Sequence, residues 1–122
     1  MKIKSSELKD HALDWAVATC QNVECDRQNR PIWFDDEDQR ADYTPSTDPA
    51  QAYPIIDREG ITVSKYAKEL EQPLDKLWFA NTWDSDVNMD NVVEGPTPLI
   101  AAMRCYVASK LGDEVDVPEE LL

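Results

Sequence analysis

The polar segment from Tyr43 to Gln51 carries residue types suited to binding a small ligand. Its hydroxyl, carboxylate and amide groups belong to Tyr43, Thr44, Ser46, Thr47, Asp48 and Gln51. Pro45 and Pro49 fix the backbone φ angle near −65°, so the segment would hold these groups in place at a low entropic cost. The segment is therefore a candidate for one side of a ligand site.

A second candidate feature is Thr97 followed by Pro98, a pair typical of the start of a helix. The free amides and partial positive charge of such a start suit a polar or anionic ligand lying beside the 43–51 segment. The preferred interpretation is nevertheless that caps and turns within the two segments use the same groups themselves, because most helices have caps whereas ligand sites are few. Because the chain is acidic, an anion would also need cations gathered locally, from Arg58, Lys65, Lys68 or Arg104. The predicted ligand-binding residues are Tyr43, Ser46, Thr47, Asp48, Gln51, Arg58, Thr97 and Arg104.

Metal ligands of the soft type and catalytic bases are few. Cys20 and Cys25 have no second cysteine pair to complete a zinc site with them, and Cys105 stands alone. These thiols are expected to be buried or incidental, with no metal and no cofactor. Nothing in the sequence places a nucleophile beside His11, the only histidine. No catalytic residue is therefore predicted.

Carboxylates are so abundant that a pair of them does not indicate a catalytic site. With 25 Asp and Glu, accidental carboxylate pairs are common and are not specific to acid–base catalysis. The window from Asp84 to Asp90 alternates oxygen-bearing side chains as a calcium loop does. It lacks the glycine and the glutamate that an EF-hand requires, so a solvated acidic loop is the preferred interpretation.

Two helices are predicted to position these groups. Apolar residues at three- and four-residue spacing predict a helix over 9–21, with Asp10 as its N-cap. The same spacing predicts a second helix that begins after Thr97 and ends before Gly112, with one apolar stripe. A short helical turn is expected over 49–52.

Short strands complete the predicted architecture. They are expected at residues 2–4, 31–34 and 77–83, and as two segments of 54–63 around a turn at Gly60. The tail from 113 to 122 is expected to pack loosely through Val115, Val117 and Leu121. The predicted fold is α+β, a small antiparallel sheet packed by two main amphipathic helices in a single domain over 1–122.

The formal net charge of −13 excludes several function classes. Such a surface repels nucleic-acid phosphates and anionic lipid, so we expect no direct nucleic-acid and no membrane binding. No stretch approaches 18 apolar residues, and the N-terminus lacks the apolar region of a secretory signal. An odd number of cysteines without such a signal favours reduced thiols and a cytoplasmic location.

Two segments resemble motifs of the NinX family of lambdoid phages and prophages. One is Tyr43–Asp48 followed by 54–61, and the other is 95–115; Glu7-Leu8 and 12–18 are also similar. The sequence departs from the pattern at Pro49 and Ala52-Tyr53, where a tryptophan and glycines are expected, and 84–93 is longer. The resemblance implies a small accessory protein of temperate phages in the cytoplasm of the bacterial host, and it carries over no catalytic residues.

The leading hypothesis is a non-enzymatic accessory protein that binds a host protein or a small polar, nucleotide-like ligand. One alternative is an acidic DNA-mimic decoy that inhibits a host DNA-binding protein through the run Asp35–Asp38. A small hydrolase or transferase is a further alternative, disfavoured because the chain has one histidine and no nucleophile motif. Trp33 or Trp83, if exposed, would suit a homodimer.

Overall fold

The computed structural model describes residues 1–82 and 92–122. The helices are α1 (Asp10–Cys20), α2 (Pro49–Glu59) and α3 (Pro98–Leu111). The strands are β1 (Lys2–Lys4), β2 (Trp33–Phe34), β3 (Arg40–Ala41), β4 (Ile61–Lys65), β5 (Trp78–Thr82), β6 (Val93–Gly95) and β7 (Glu114–Asp116). None of the helices within the described ranges is long and apolar enough to cross a bilayer.

The strands pair antiparallel in small sheets. β4, β5 and β6 lie in that order, with Val63 opposite Ala80 and Ala80 opposite Val93. β1 pairs with β7, and β2 forms a hairpin with β3. Helices and antiparallel strands together confirm the predicted α+β class.

Helix α3 lies at the centre of the core. It packs against α1, α2 and the three-stranded sheet, and every residue from 101 to 107 is buried. The predicted single apolar stripe is therefore too narrow, because this helix has neighbours on all sides. Gly95 lets β6 approach α3 closely, since a Cβ atom at this position would lie 2.8 Å from the Ala101 nitrogen.

Residues 54–59 correct the sequence prediction. They were expected to form a β segment, but they continue the helical turn at 49–52 into the full helix α2. Asp48 caps this helix through the Ala50 amide, and Gly60 ends it with a φ of 63°. The β-branched pair at 55–56 favours a strand locally. The two caps and the burial of Ile55 favour the helix instead.

Two smaller predictions are also wrong. Asp10 is the first residue of α1 rather than its N-cap; Lys9 holds the cap position without a side-chain hydrogen bond. The tail does not pack loosely, because Val115 and Val117 are buried. Val115 lies opposite Ile3 in the β1–β7 pair, which holds the tail against the core.

Candidate functional site

The 43–51 segment uses its polar groups on its own backbone. The Gln51 side chain accepts from the Thr44 amide at 2.6 Å and donates to the Asp42 carbonyl at 2.9 Å. The Asp48 carboxylate accepts from the Ala50 amide at 3.0 Å. The Thr47 hydroxyl donates to the Thr44 carbonyl at 3.4 Å. The side chains of Gln51, Asp48 and Thr47 thus already have backbone partners.

Ser46 connects this segment to α1. Its amide donates to the Asp14 carboxylate at 2.9 Å, and its hydroxyl bonds the same group. Both residues are buried, and burial raises the pKa of Asp14 while the Ser46 hydrogen bonds oppose that rise. The pair is enclosed between two elements, so its role in the structure is to join them.

Arg104 and Thr97 have local partners as well. The Arg104 side chain, only 2% exposed, donates to the Leu8 carbonyl at 2.7 Å and to the Glu94 carbonyl at 2.9 Å. Thr97 caps α3 by accepting from the Ile100 amide at 3.1 Å. Within the described ranges, no hydrogen bond or ion pair joins either residue to the 43–51 segment.

Tyr43 and Arg58 do come together, at the C-terminal ends of the three helices. Gln21 donates to the Tyr43 hydroxyl and accepts from Arg58 at 3.3 Å. Glu59 bonds Arg58 at 3.1 Å and Lys110 at 2.9 Å, and these contacts, Lys110 first, hold the pKa of Glu59 below its usual range. We call these five residues the helix-end cluster. Its two cations also face the partial negative charge of the helix ends, which such cations stabilise.

A different set of cations lines two adjoining cavities of about 670 and 460 Å³. Both cavities include His11, Gln28 and Arg30 in their walls. We call this surface the basic groove. Its larger cavity also includes Asp26, Arg40, Asp42, Tyr43 and Thr44, and its smaller cavity includes Arg27, Glu120 and Leu121.

A tight turn at residues 26–30 positions the arginines of the groove. The Asp26 carboxylate accepts from the amides of Gln28 and Arg30 at 2.9 and 3.0 Å, and from the Arg40 side chain at 2.7 Å. These bonds, the Arg30 amide first, lower the pKa of Asp26. Asn29 adopts a left-handed φ of 59°, as a tight turn often requires. The turn is therefore preorganised.

The guanidinium groups of Arg27 and Arg30 are free to bind a ligand, whereas those of Arg58 and Arg104 already have partners in the fold. Both residues are exposed, and among residues 1–82 and 92–122 their side chains make no hydrogen bond and no ion pair. Their donors remain available to a ligand. Sequence reasoning missed them, although three of the five arginines lie within 27–40, which is the signal that would have found them.

The described residues contain no group of three or more His, Cys, Asp or Glu side chains placed to hold a metal ion. The calcium-like window Asp84–Asp90 lies outside the described residues. Burial raises the pKa of the Cys20 and Cys105 thiols to about 11. Both thiols are therefore protonated at neutral pH and suited to packing.

A comparison with protein-family models matches residues 4–110 to the family described as Bacteriophage P22, NinX. No curated protein matches the chain. The matched range includes the turn at 26–30, the 43–51 segment, helices α1 and α2, and α3 up to residue 110.

Proposed function

The chain belongs to the bacteriophage P22 NinX family, and from that premise we propose that it is a phage accessory protein that acts by binding, without catalysis, in the bacterial cytoplasm. Its ligand is a small polar molecule with an anionic group, such as a nucleotide, held in the basic groove. This proposal keeps the predicted ligand class and moves most of the binding residues to the groove. Tyr43, which lines the larger cavity, belongs to both sets.

The observation that carries the proposal is the pair of free guanidinium groups at Arg27 and Arg30. Arginine presents a planar fork of donors that matches phosphate and carboxylate groups. The turn that displays these side chains is already ordered, so a ligand would not have to order it on binding. A net charge of −13 gives the protein no general attraction for anions, and a local arrangement of this kind has to supply it.

The helix-end cluster supports the same ligand less well. Arg58 and Lys110 share the carboxylate of Glu59, so an anion would compete with an existing ion pair. The helix C-termini beside them also repel negative charge. An anion therefore fits the groove better than the cluster.

Thermal unfolding with added AMP, ATP or pyrophosphate tests the proposal. We expect at least one probe to raise the Tm of the wild type by several degrees, because a ligand at about 100 times its Kd stabilises the folded state by about 2.7 kcal/mol. Arg30→Ala should remove the shift. The matched control is Lys76→Ala, which deletes an exposed cation outside the groove and should leave the shift unchanged.

Two outcomes would overturn this function: no probe shifts the wild type, or Arg30→Ala shifts as much as the wild type does. The first outcome would leave a macromolecular partner as the better proposal. The second would place the anion elsewhere on the protein.

The turn Asp35–Asp38 supports a second candidate function, binding of a basic host DNA-binding protein. All four side chains are exposed where β2 turns into β3. Asp35 holds the turn by accepting from the Glu37 and Gln39 amides, each at 2.9 Å. The triple variant Asp36→Asn, Glu37→Gln, Asp38→Asn leaves that anchor intact. If this function is right, the variant loses salt-sensitive capture of a basic protein from host lysate, and unchanged capture contradicts it.

A further inference from the structure

The basic groove has carboxylates as well as guanidinium groups in its walls. Asp42 lines the larger cavity and Glu120 lines the smaller one, and His11 and Arg30 line both. We infer that the natural ligand of the groove is a small zwitterion that carries a phosphate or carboxylate at one end and an ammonium group at the other. This inference rests on the proposed function, because it concerns the same site.

The two carboxylates have acceptor capacity left over. Asp42 makes no side-chain hydrogen bond and no ion pair with any residue in the two described ranges. Glu120 accepts from the Asn29 side chain through one oxygen, which leaves its second oxygen free. The carboxylate of Asp26, by contrast, is fully engaged by the turn and by Arg40. Each of the two cavities therefore has a carboxylate with a free acceptor in its wall.

The charges decide which ligand class fits. A purely anionic ligand is attracted by Arg27 and Arg30 and repelled by Asp42 and Glu120, so the two effects partly cancel. A zwitterion whose anionic group lies against the shared wall gains from both sets of charges. Its ammonium group then reaches Glu120 in the smaller cavity or Asp42 in the larger one. Carboxylates in these positions also select against simple phosphates.

Phosphoethanolamine and glycerol 3-phosphate form a matched pair of probes. Both are small phosphate monoesters, and of the two only phosphoethanolamine carries an ammonium group. Isothermal titration of the full chain should give a Kd for phosphoethanolamine at least fivefold lower than for glycerol 3-phosphate. Arg30→Ala should weaken both probes.

Two neutral variants identify the carboxylate that selects the ammonium group. Either Asp42→Asn or Glu120→Gln should abolish the preference by weakening phosphoethanolamine and strengthening glycerol 3-phosphate. Asp57→Asn is the matched control, because it removes an exposed carboxylate on α2 outside the groove and should leave the preference intact.

The failures of the two proposals are distinguishable. Equal affinity for both probes, with Arg30→Ala weakening each, overturns the zwitterion inference and leaves the anion-binding function standing. A preference that survives in both neutral variants also overturns the inference. If neither these probes nor the nucleotides bind with any dependence on Arg30, both proposals fall together.

Discussion

The 43–51 segment and the basic groove share Tyr43 and Thr44 but differ in the state of their polar groups. In the segment, Gln51, Asp48 and Thr47 bond the backbone of the segment itself. In the groove, the side chains of Arg27 and Arg30 have no such partner among the described residues. The hydrogen-bonding capacity that remains after folding, rather than polarity in the sequence, therefore distinguishes a binding surface from a well-built turn.

Arg104 is the clearest example of a polar side chain whose hydrogen bonds are all made within the fold. It is buried and donates to two backbone carbonyls, which makes it part of the core. Arg30 has the same side chain, but it is exposed and makes no side-chain hydrogen bond with the described residues. Substitution at the two arginines should consequently change different properties, stability in one and ligand binding in the other.

The largest expected effect is at Arg104. Arg104→Met keeps much of the volume but leaves the Leu8 and Glu94 carbonyls without their donor, which should lower the free energy of unfolding by about 2–4 kcal/mol. Urea denaturation measures the loss. Asp75→Asn is the control and should have little effect, because Asp75 is 66% exposed and 3.7 Å from Arg104. A stable Arg104→Met variant that loses ligand binding would instead make Arg104 a ligand residue.

Asp14 should give the next largest effect. Asp14→Ala leaves the buried Ser46 amide without an acceptor, at a loss of about 1–3 kcal/mol. Asp14→Asn keeps an acceptor and removes the buried charge, so it should be at least as stable as the wild type at neutral pH.

The pH dependence of unfolding separates the loss of the Ser46 acceptor from the removal of the buried charge at Asp14. Burial raises the pKa of Asp14 above its ordinary value of 3.8, so the folded state binds this proton more tightly than the unfolded state does. The stability from that proton is present below pH 3.8 and is lost as the pH rises through the higher folded pKa. The advantage of Asp14→Asn over the wild type should therefore shrink as the pH falls toward 4. An advantage that grows toward acid would contradict the assignment.

The caps should give the smallest effect. Asp48→Ala and Thr97→Ala each remove one N-cap and should lower the free energy of unfolding by about 1 kcal/mol. Both variants should still bind AMP at a temperature where they remain folded. Loss of AMP binding in either folded variant would return the site to the residues predicted from the sequence.

Local signals in the sequence were sufficient for much of this fold. The helix spacing at 9–21, the Thr97–Pro98 start and the strand after Gly60 are properties of neighbouring residues, and each appears in the structure. Residues 54–59 were misassigned because β-branched residues favour a strand locally, whereas burial of Ile55 against the core is a tertiary effect.

The candidate site was harder to predict for the same reason. Arg27 and Arg30 meet His11 and Glu120 only because α1, the turn at 26–30 and the C-terminal tail fold together. The caps and turns that use the polar groups of 43–51 are local, by contrast, and the sequence did indicate them. Tyr43 was predicted and lines the groove, while the arginines that line it with Tyr43 needed the three-dimensional structure.

An NMR titration distinguishes the two regions most directly. With ¹⁵N-labelled wild-type protein and increasing AMP, the largest amide shifts should fall at residues 27–30 and 40–42, and should saturate. Shifts that concentrate instead at 46–51 and 97–100 would show that the sequence-predicted segment, and not the basic groove, binds the ligand.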